Sequence, residues 1–110
     1  MNISELVDFD FRTLTSAFKA GTLSPVEALA TTLAHAELVN PKINALFHIA
    51  ADEAMTAAKA SEARWRRGEP LSELDGIPVT IKDSVNKAGW PYFHGAKPNR
   101  DLPLAREDAP

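Results

Sequence analysis

The densest group of reactive side chains in this 110-residue sequence is Lys82-Asp83-Ser84, directly after the apolar run Ile77-Pro78-Val79-Thr80-Ile81. Taken singly, these residues promise little. A lysine at the end of an apolar strand reads as a solvated charge, because lysine is almost never buried unpaired. Ser84 would share the face of Lys82 if the strand continued, and a hydroxyl beside an amine suggests a local nucleophile. Acyl transfer also needs donors for an oxyanion, and neither a nucleophile elbow nor an oxyanion loop accompanies Ser84. A polar residue in the exit turn is the better reading. Ser24 is explained as a helix cap, and Ser16, Ser61 and Ser72 have no base nearby in sequence.

Other chemistries find less support. His35, His48 and His94 lack metal-ligand spacing, and the absence of cysteine excludes disulfides, zinc–thiolate sites and a thiol nucleophile. Asp52-Glu53 and Glu107-Asp108 fall where helices are expected to start, and carboxylates there favour the helix macrodipole. Trp90, Tyr92 and Phe93 lie just beyond Lys82. They read first as loop-packing aromatics and second as the lining of a substrate approach.

The elements that would position these residues follow from periodicity. Val7, Phe11, Leu14 and Phe18 recur at helical spacing, predicting a helix over about 10–20 that stops at Gly21. Ser24-Pro25 with Glu27 combines an N-cap, a proline at the first helical position and a capping-box glutamate. The helix they open buries Val26, Leu29, Ala30 and Leu33 and should close near Val39, ahead of Asn40-Pro41. Ile43, Ala45, Phe47 and Ile49 alternate, predicting a short strand. A second long helix is expected over about 51–67, ended by Gly68, with Ala51, Ala54, Ala58 and Trp65 inward. Residues 77–81 read as a second strand, with Pro78 confined to its start or to a sheet edge. Dense glycine and proline beyond Lys87 argue against further regular structure. The order implies an α/β layer with a helix crossing between two strands, although two strands alone make a poor sheet.

Composition sets outer bounds. Apolar residues at 45% and charged residues at 25% are ordinary for a globular chain. Twelve basic against 15 acidic residues, a net charge of −3, leave no electrostatic footprint for nucleic acid. Arg64, Arg66 and Arg67 are flanked by Glu62 and Glu69 and read as a solvated helix end. The N-terminus has no signal-peptide pattern, and no run is long enough to cross a bilayer. These observations make a cytoplasmic location the default, with neither nucleic acid nor membrane as partner.

The segment Leu74-Asp75-Gly76-Ile77-Pro78-Val79-Thr80-Ile81-Lys82-Asp83-Ser84-Val85 resembles the amidase-signature family, in which a Gly-Ile-Pro strand delivers a catalytic lysine. Leu23-Ser24-Pro25-Val26-Glu27, Ile43-Asn44-Ala45-Leu46, the alanine-rich helix, Gly89-Trp90-Pro91 and Glu107-Asp108-Ala109-Pro110 agree with that family in order. The last of these resembles a helix opening. Ahead of Gly95 the chain departs from it, since aromatics stand where small hydroxyl residues are usual.

The resemblance implies amide hydrolysis by a serine–serine–lysine triad, with Lys82 as the base and both serines in a glycine- and serine-rich segment that nothing here matches. It implies no metal or organic cofactor. Residues 1–110 would then be the N-terminal part of an amidase domain: helices and the first strands of a mixed-sheet α/β fold, incomplete in this chain and inactive alone. A small-molecule amide would be the substrate of the complete enzyme. The resemblance allows a homodimer, or the partner subunits of a tRNA-dependent amidotransferase. A non-catalytic interaction module is the reading from a different class. A lysine accepts a proton only when neutral, a state enzymes reach by burial and neighbouring charges. A carboxylate such as Asp83 works against that unless strand alternation points it away.

Overall fold

A computed structural model describes residues 2–6 and 8–110, with the backbone alone for Ile3, Ser4 and Lys97. Contacts divide the chain into two units, one running through Pro78 and the other Val79–Pro110.

The first unit is helical: α1 (Ile3–Leu6), α2 (Phe11–Ala20), α3 (Pro25–Ile43) and α4 (Ala51–Arg66). The short α1 was not expected. Asn2 and Glu5 hold its start by reciprocal side-chain-to-backbone bonds of 2.9 and 3.1 Å. Asp10 caps α2 by accepting from the Thr13 amide at 2.8 Å, and the helix stops at left-handed Gly21. At α3 the expected capping box is complete: Glu27 N–H donates to Ser24 Oγ at 3.1 Å, and Ser24 N–H to Glu27 Oε1 at 3.2 Å. Loss of this cap in Ser24→Ala should cost about 1 kcal/mol. Urea unfolding of the full chain checks the value, and an unchanged midpoint would contradict it.

Leu14, Phe18, Leu23 and Ala28 form the buried centre, with Leu6, Phe9, Ala17, Trp65 and Ile77 packed against it. The Phe18 and Trp65 rings meet with centroids 6.0 Å apart. Val7, expected on the α2 stripe, lies outside the described residues. On α3 the buried positions are Pro25, Ala28 and Leu29, with Ala30 exposed; on α4 they are Ala58 and Ser61, with Ala51 exposed.

Several expectations need correction. α3 does not end near Val39 but runs through Pro41 to Ile43. Pro41 removes only one helical hydrogen bond, in the last turn, and the stop comes from Asn44, left-handed at φ 50°, whose N–H bonds to Asn40 O. Neither expected strand forms, and no strand occurs among the described residues. A strand exists through its ladder, and nothing here supplies one to either segment. Asn40 instead imitates a ladder partner for Leu46, its Nδ2 donating to Leu46 O and its Oδ1 accepting from Leu46 N, both at 2.8 Å. Val79 and Ile81, in the second of the expected strands, are 78% and 42% exposed. The α/β layer is therefore absent from the described residues, which are helical and irregular.

The second unit is mostly irregular, with a short 3-10 helix at Lys97–Asp101. Residues 86–90 run antiparallel to 105–109 through Gly89 N–H to Ala105 O at 2.8 Å, Ala105 N–H to Trp90 O at 2.9 Å and Ala109 N–H to Asn86 O at 2.8 Å. The helix expected at Glu107–Pro110 does not form. Asp108 accepts from the Ala88 amide at 2.8 Å and pairs with Lys87 at 3.5 Å. That work holds the returning segment in place.

Candidate functional site

Lys82 is exposed, and its carbonyl accepts from Val85 N–H at 2.9 Å, so the chain turns immediately after it. The turn ends any strand alternation, and exposed Ser84 lies within it, which agrees with an exit-turn residue rather than a nucleophile on the lysine's face. Asp83 is the engaged member of the cluster. Its two oxygens accept separately from Phe93 N–H and Gly95 N–H, each at 2.8 Å. Partial desolvation works to raise its pKa, but the amides of Phe93, Gly95 and His94, helped by the His94 charge, outweigh it and hold the carboxyl below the usual carboxylate range.

The loop held by Asp83 carries the aromatics. Trp90, Tyr92 and Phe93 are half-buried, and the Tyr92 and His94 rings lie 5.5 Å apart. Asn99 Nδ2 donates to Phe93 O at 2.9 Å, closing the loop from its other side. His35 is half-buried while His48 and His94 are exposed. No group of three or more His, Cys, Asp or Glu among the described residues could hold a metal.

The segment that leads toward Lys82 is anchored within the first unit. Asp75, with a side chain only 3% exposed, receives Arg64 in a two-pronged contact: Nε to Oδ2 at 2.7 Å and Nη2 to Oδ1 at 2.6 Å. Leu71 N–H also donates to Oδ2, at 2.9 Å, and Trp65 Nε1 donates to Asp75 O, at 2.9 Å. The Arg64 guanidinium holds the Asp75 carboxyl far below the usual range, overcoming the opposing effect of burial, and the Leu71 amide assists. The Ser61 hydroxyl adds a weaker influence, although its oxygen makes no hydrogen bond of ordinary geometry. Gly76 follows, at φ +88°, so close to α3 and α4 that a Cβ there would lie 2.6 Å from Ser61 Oγ and 2.7 Å from Pro25 Cγ. Thr15 Oγ1 ties the same loop to α2 by donating to Glu73 O at 2.6 Å.

A family model described as Amidase matches residues 27–109, which takes in both Gly76 and Lys82. The chain belongs to the amidase family. It is 37% identical over 95 residues to the indoleacetamide hydrolase of Bradyrhizobium diazoefficiens, covering 86% of this chain and 18% of that protein. To the A subunit of the glutamyl-tRNA(Gln) amidotransferase of Chloroflexus aggregans it is 40% identical over 82 residues, covering 74% and 17%. Among solved structures it superposes with a TM-score of 0.84 and 29% identity on a chain from work on a vestigial protein complex and the origins of an s-triazine catabolic enzyme. That match covers 91% of this chain and 22% of the other. The amidase chain thus spans about a fifth of the length of these relatives.

Two features of this amidase chain escaped sequence reasoning. Arg64 is no solvated helix end: it is committed to Asp75, while Arg66 pairs with Glu62 and Arg67 with Glu69 at 3.5 Å. Ser61 occupies an inward position of α4 one turn after Ala58, and this helical spacing was the available signal. No helix among the described residues is long and apolar enough to cross a membrane.

Proposed function

We propose that this chain provides the lysine of an amide-hydrolysing centre, with Lys82 as the proton acceptor of a serine–serine–lysine triad. The serines and the oxyanion donors would come from polypeptide beyond these 110 residues. The observation that carries the reading is the Gly76-Ile77-Pro78 segment built against α3 and α4 and running, four residues later, into Lys82 within the stretch matched as Amidase. Lys82 is exposed in these 110 residues. The covering that a neutral lysine needs would come from the same further polypeptide, which would also supply neighbouring strands and make residues 77–81 part of a mixed sheet. By itself the chain is expected to hydrolyse no amide, because acyl transfer needs a nucleophile and a positioned oxyanion site.

A chimaera provides the test. Residues 1–110 replace the corresponding segment of the Bradyrhizobium indoleacetamide hydrolase, and hydrolysis of indoleacetamide is followed. Activity should persist, and Lys82→Ala should lower kcat by about a thousandfold, within the range for general base catalysis. A Lys82→Ala chimaera as fast as its parent would end the reading.

A second reading is favoured by the several glutamyl-tRNA(Gln) amidotransferase proteins among the relatives, at 36–40% identity. There the same lysine would serve glutamine hydrolysis in an assembly with partner subunits. Placing the segment in the Chloroflexus aggregans protein and measuring ammonia release from glutamine separates the two.

A further inference from the structure

We propose that Asp83 is a positioning residue for Lys82: its carboxylate fills a backbone nest at residues 93–95 and so fixes the main chain from which the lysine projects. The inference rests on the reading of Lys82 given above, but its geometric half stands apart from it.

The nest is visible in the backbone. The backbone changes hand between Phe93 and His94, whose φ is +50°, and Gly95 follows at +74°. Such a change of hand turns neighbouring N–H groups toward one side, the arrangement that makes anion-binding concavities. Here the anion is internal. Phe93 N–H and Gly95 N–H each reach a different Asp83 oxygen at 2.8 Å. The nest is also braced independently of Asp83, since Phe93 O accepts from Ala96 N–H at 3.0 Å and from Asn99 Nδ2 at 2.9 Å. A braced receptor and a carboxylate with both oxygens engaged form a rigid joint.

The joint matters because the preceding residues have so little else. No side chain from Val79 to Lys82 makes a hydrogen bond among the described residues, and Asp83 is the first after Pro78 whose side chain is tied down. The same bonds answer the electrostatic objection to an acid beside a lysine base. A carboxylate committed to two amides is directed at the nest, not at the neighbouring amine. Asp83 therefore sets the direction of Lys82 without acting as its counter-ion.

The experiment has two arms. In the full chain, amide hydrogen exchange by NMR reads the joint directly. Asp83→Asn is nearly isosteric but sets an N–H₂ donor against one of the two amides, so protection at Phe93 or Gly95 should fall by about tenfold or more. Asp83→Glu, which keeps the charge, should restore part of it. Unchanged protection in Asp83→Asn overturns the proposal.

In the chimaera with the indoleacetamide hydrolase, Asp83→Asn should lower kcat by about tenfold to a hundredfold, as expected for a misplaced catalytic group. KM should stay within about twofold, and Asp83→Glu should recover part of kcat. A merely structural role would reduce the amount of folded enzyme and leave the pH profile of the remainder unchanged, whereas misdirection of Lys82 should shift that profile. If Lys82→Ala abolishes activity while Asp83→Asn leaves kcat intact, the positioning role alone is refuted. If Lys82→Ala is harmless, the amidase reading fails and the exchange result still stands.

Discussion

Gly76→Ala should destabilise the chain by about 2 to 5 kcal/mol, measured as the loss in unfolding free energy in urea. Two costs combine. At φ +88° an L-residue meets the steric penalty of the left-handed region, about 1–2 kcal/mol. The added methyl would also lie 2.6 Å from Ser61 Oγ and within 2.9 Å of two Pro25 ring atoms, and overpacking of this kind costs about 1–3 kcal/mol. Pro25 is a fully buried ring in the first turn of α3 and cannot swing aside. Ser61 is only 1% exposed, so its hydroxyl has nowhere open to go. Removing that hydroxyl should recover only part of the loss. Ser61→Ala alone deletes an unpaired buried oxygen and should be close to neutral. The double variant Ser61→Ala/Gly76→Ala should remain well below the parent, because the proline and the backbone strain persist. A stable Gly76→Ala chain would show that this glycine is not the point at which the Gly-Ile-Pro segment is seated.

That seat explains which parts of the molecule were legible beforehand. Helix boundaries were readable wherever a local residue type does the work: Ser24 with Glu27 at the start of α3, Gly21 after α2, Gly68 just past α4. Pro41 misled because a proline in the last turn sacrifices one hydrogen bond, and Asn44 closes the helix beyond it. The strand patterns at 43–49 and 77–81 are real alternations of side chains, but a strand depends on what lies beside it, and that partner is remote in sequence. The candidate site divided in the same way. Lys82 stands out through the motif around it. What holds that motif does not, since Arg64 and Asp75 are 11 residues apart across a loop, and Gly76 meets Pro25 from 51 positions away. Asp83 was foreseen as an electrostatic burden on Lys82. Its commitment to the nest depends on two left-handed residues eleven and twelve positions on, for which His94-Gly95 is too weak a sequence signal.

Breaking the Arg64–Asp75 pair should cost nearly as much as filling the Gly76 site, and the two halves of the pair should not be equivalent. The Asp75 side chain is 3% exposed and that of Arg64 is 24% exposed. Arg64→Met would leave a buried carboxylate with only the Leu71 amide, and the loss should approach the 3–5 kcal/mol (order of magnitude) found for uncompensated buried charges. Asp75→Asn leaves a guanidinium that can turn partly to water, and the amide oxygen can still accept from Leu71 N–H, so a smaller loss is expected. Urea unfolding of both variants checks the order.

The pH dependence supplies the sign. Arg64 depresses the Asp75 pKa in the folded chain, so the unfolded state binds the proton more readily. The stabilisation is therefore complete above the ordinary carboxylate pKa and drains away as pH falls through it toward the lower folded value, beginning near about pH 5. Removing either partner should flatten that acid limb. Replacing both, as Arg64→Met/Asp75→Leu, should restore much of the loss at neutral pH, because an apolar pair of matching volume avoids the desolvation that the ion pair must overcome. If Arg64→Met instead leaves both the neutral stability and the acid limb unchanged, Asp75 is not the fastening that carries the chain from α4 into Gly76-Ile77-Pro78.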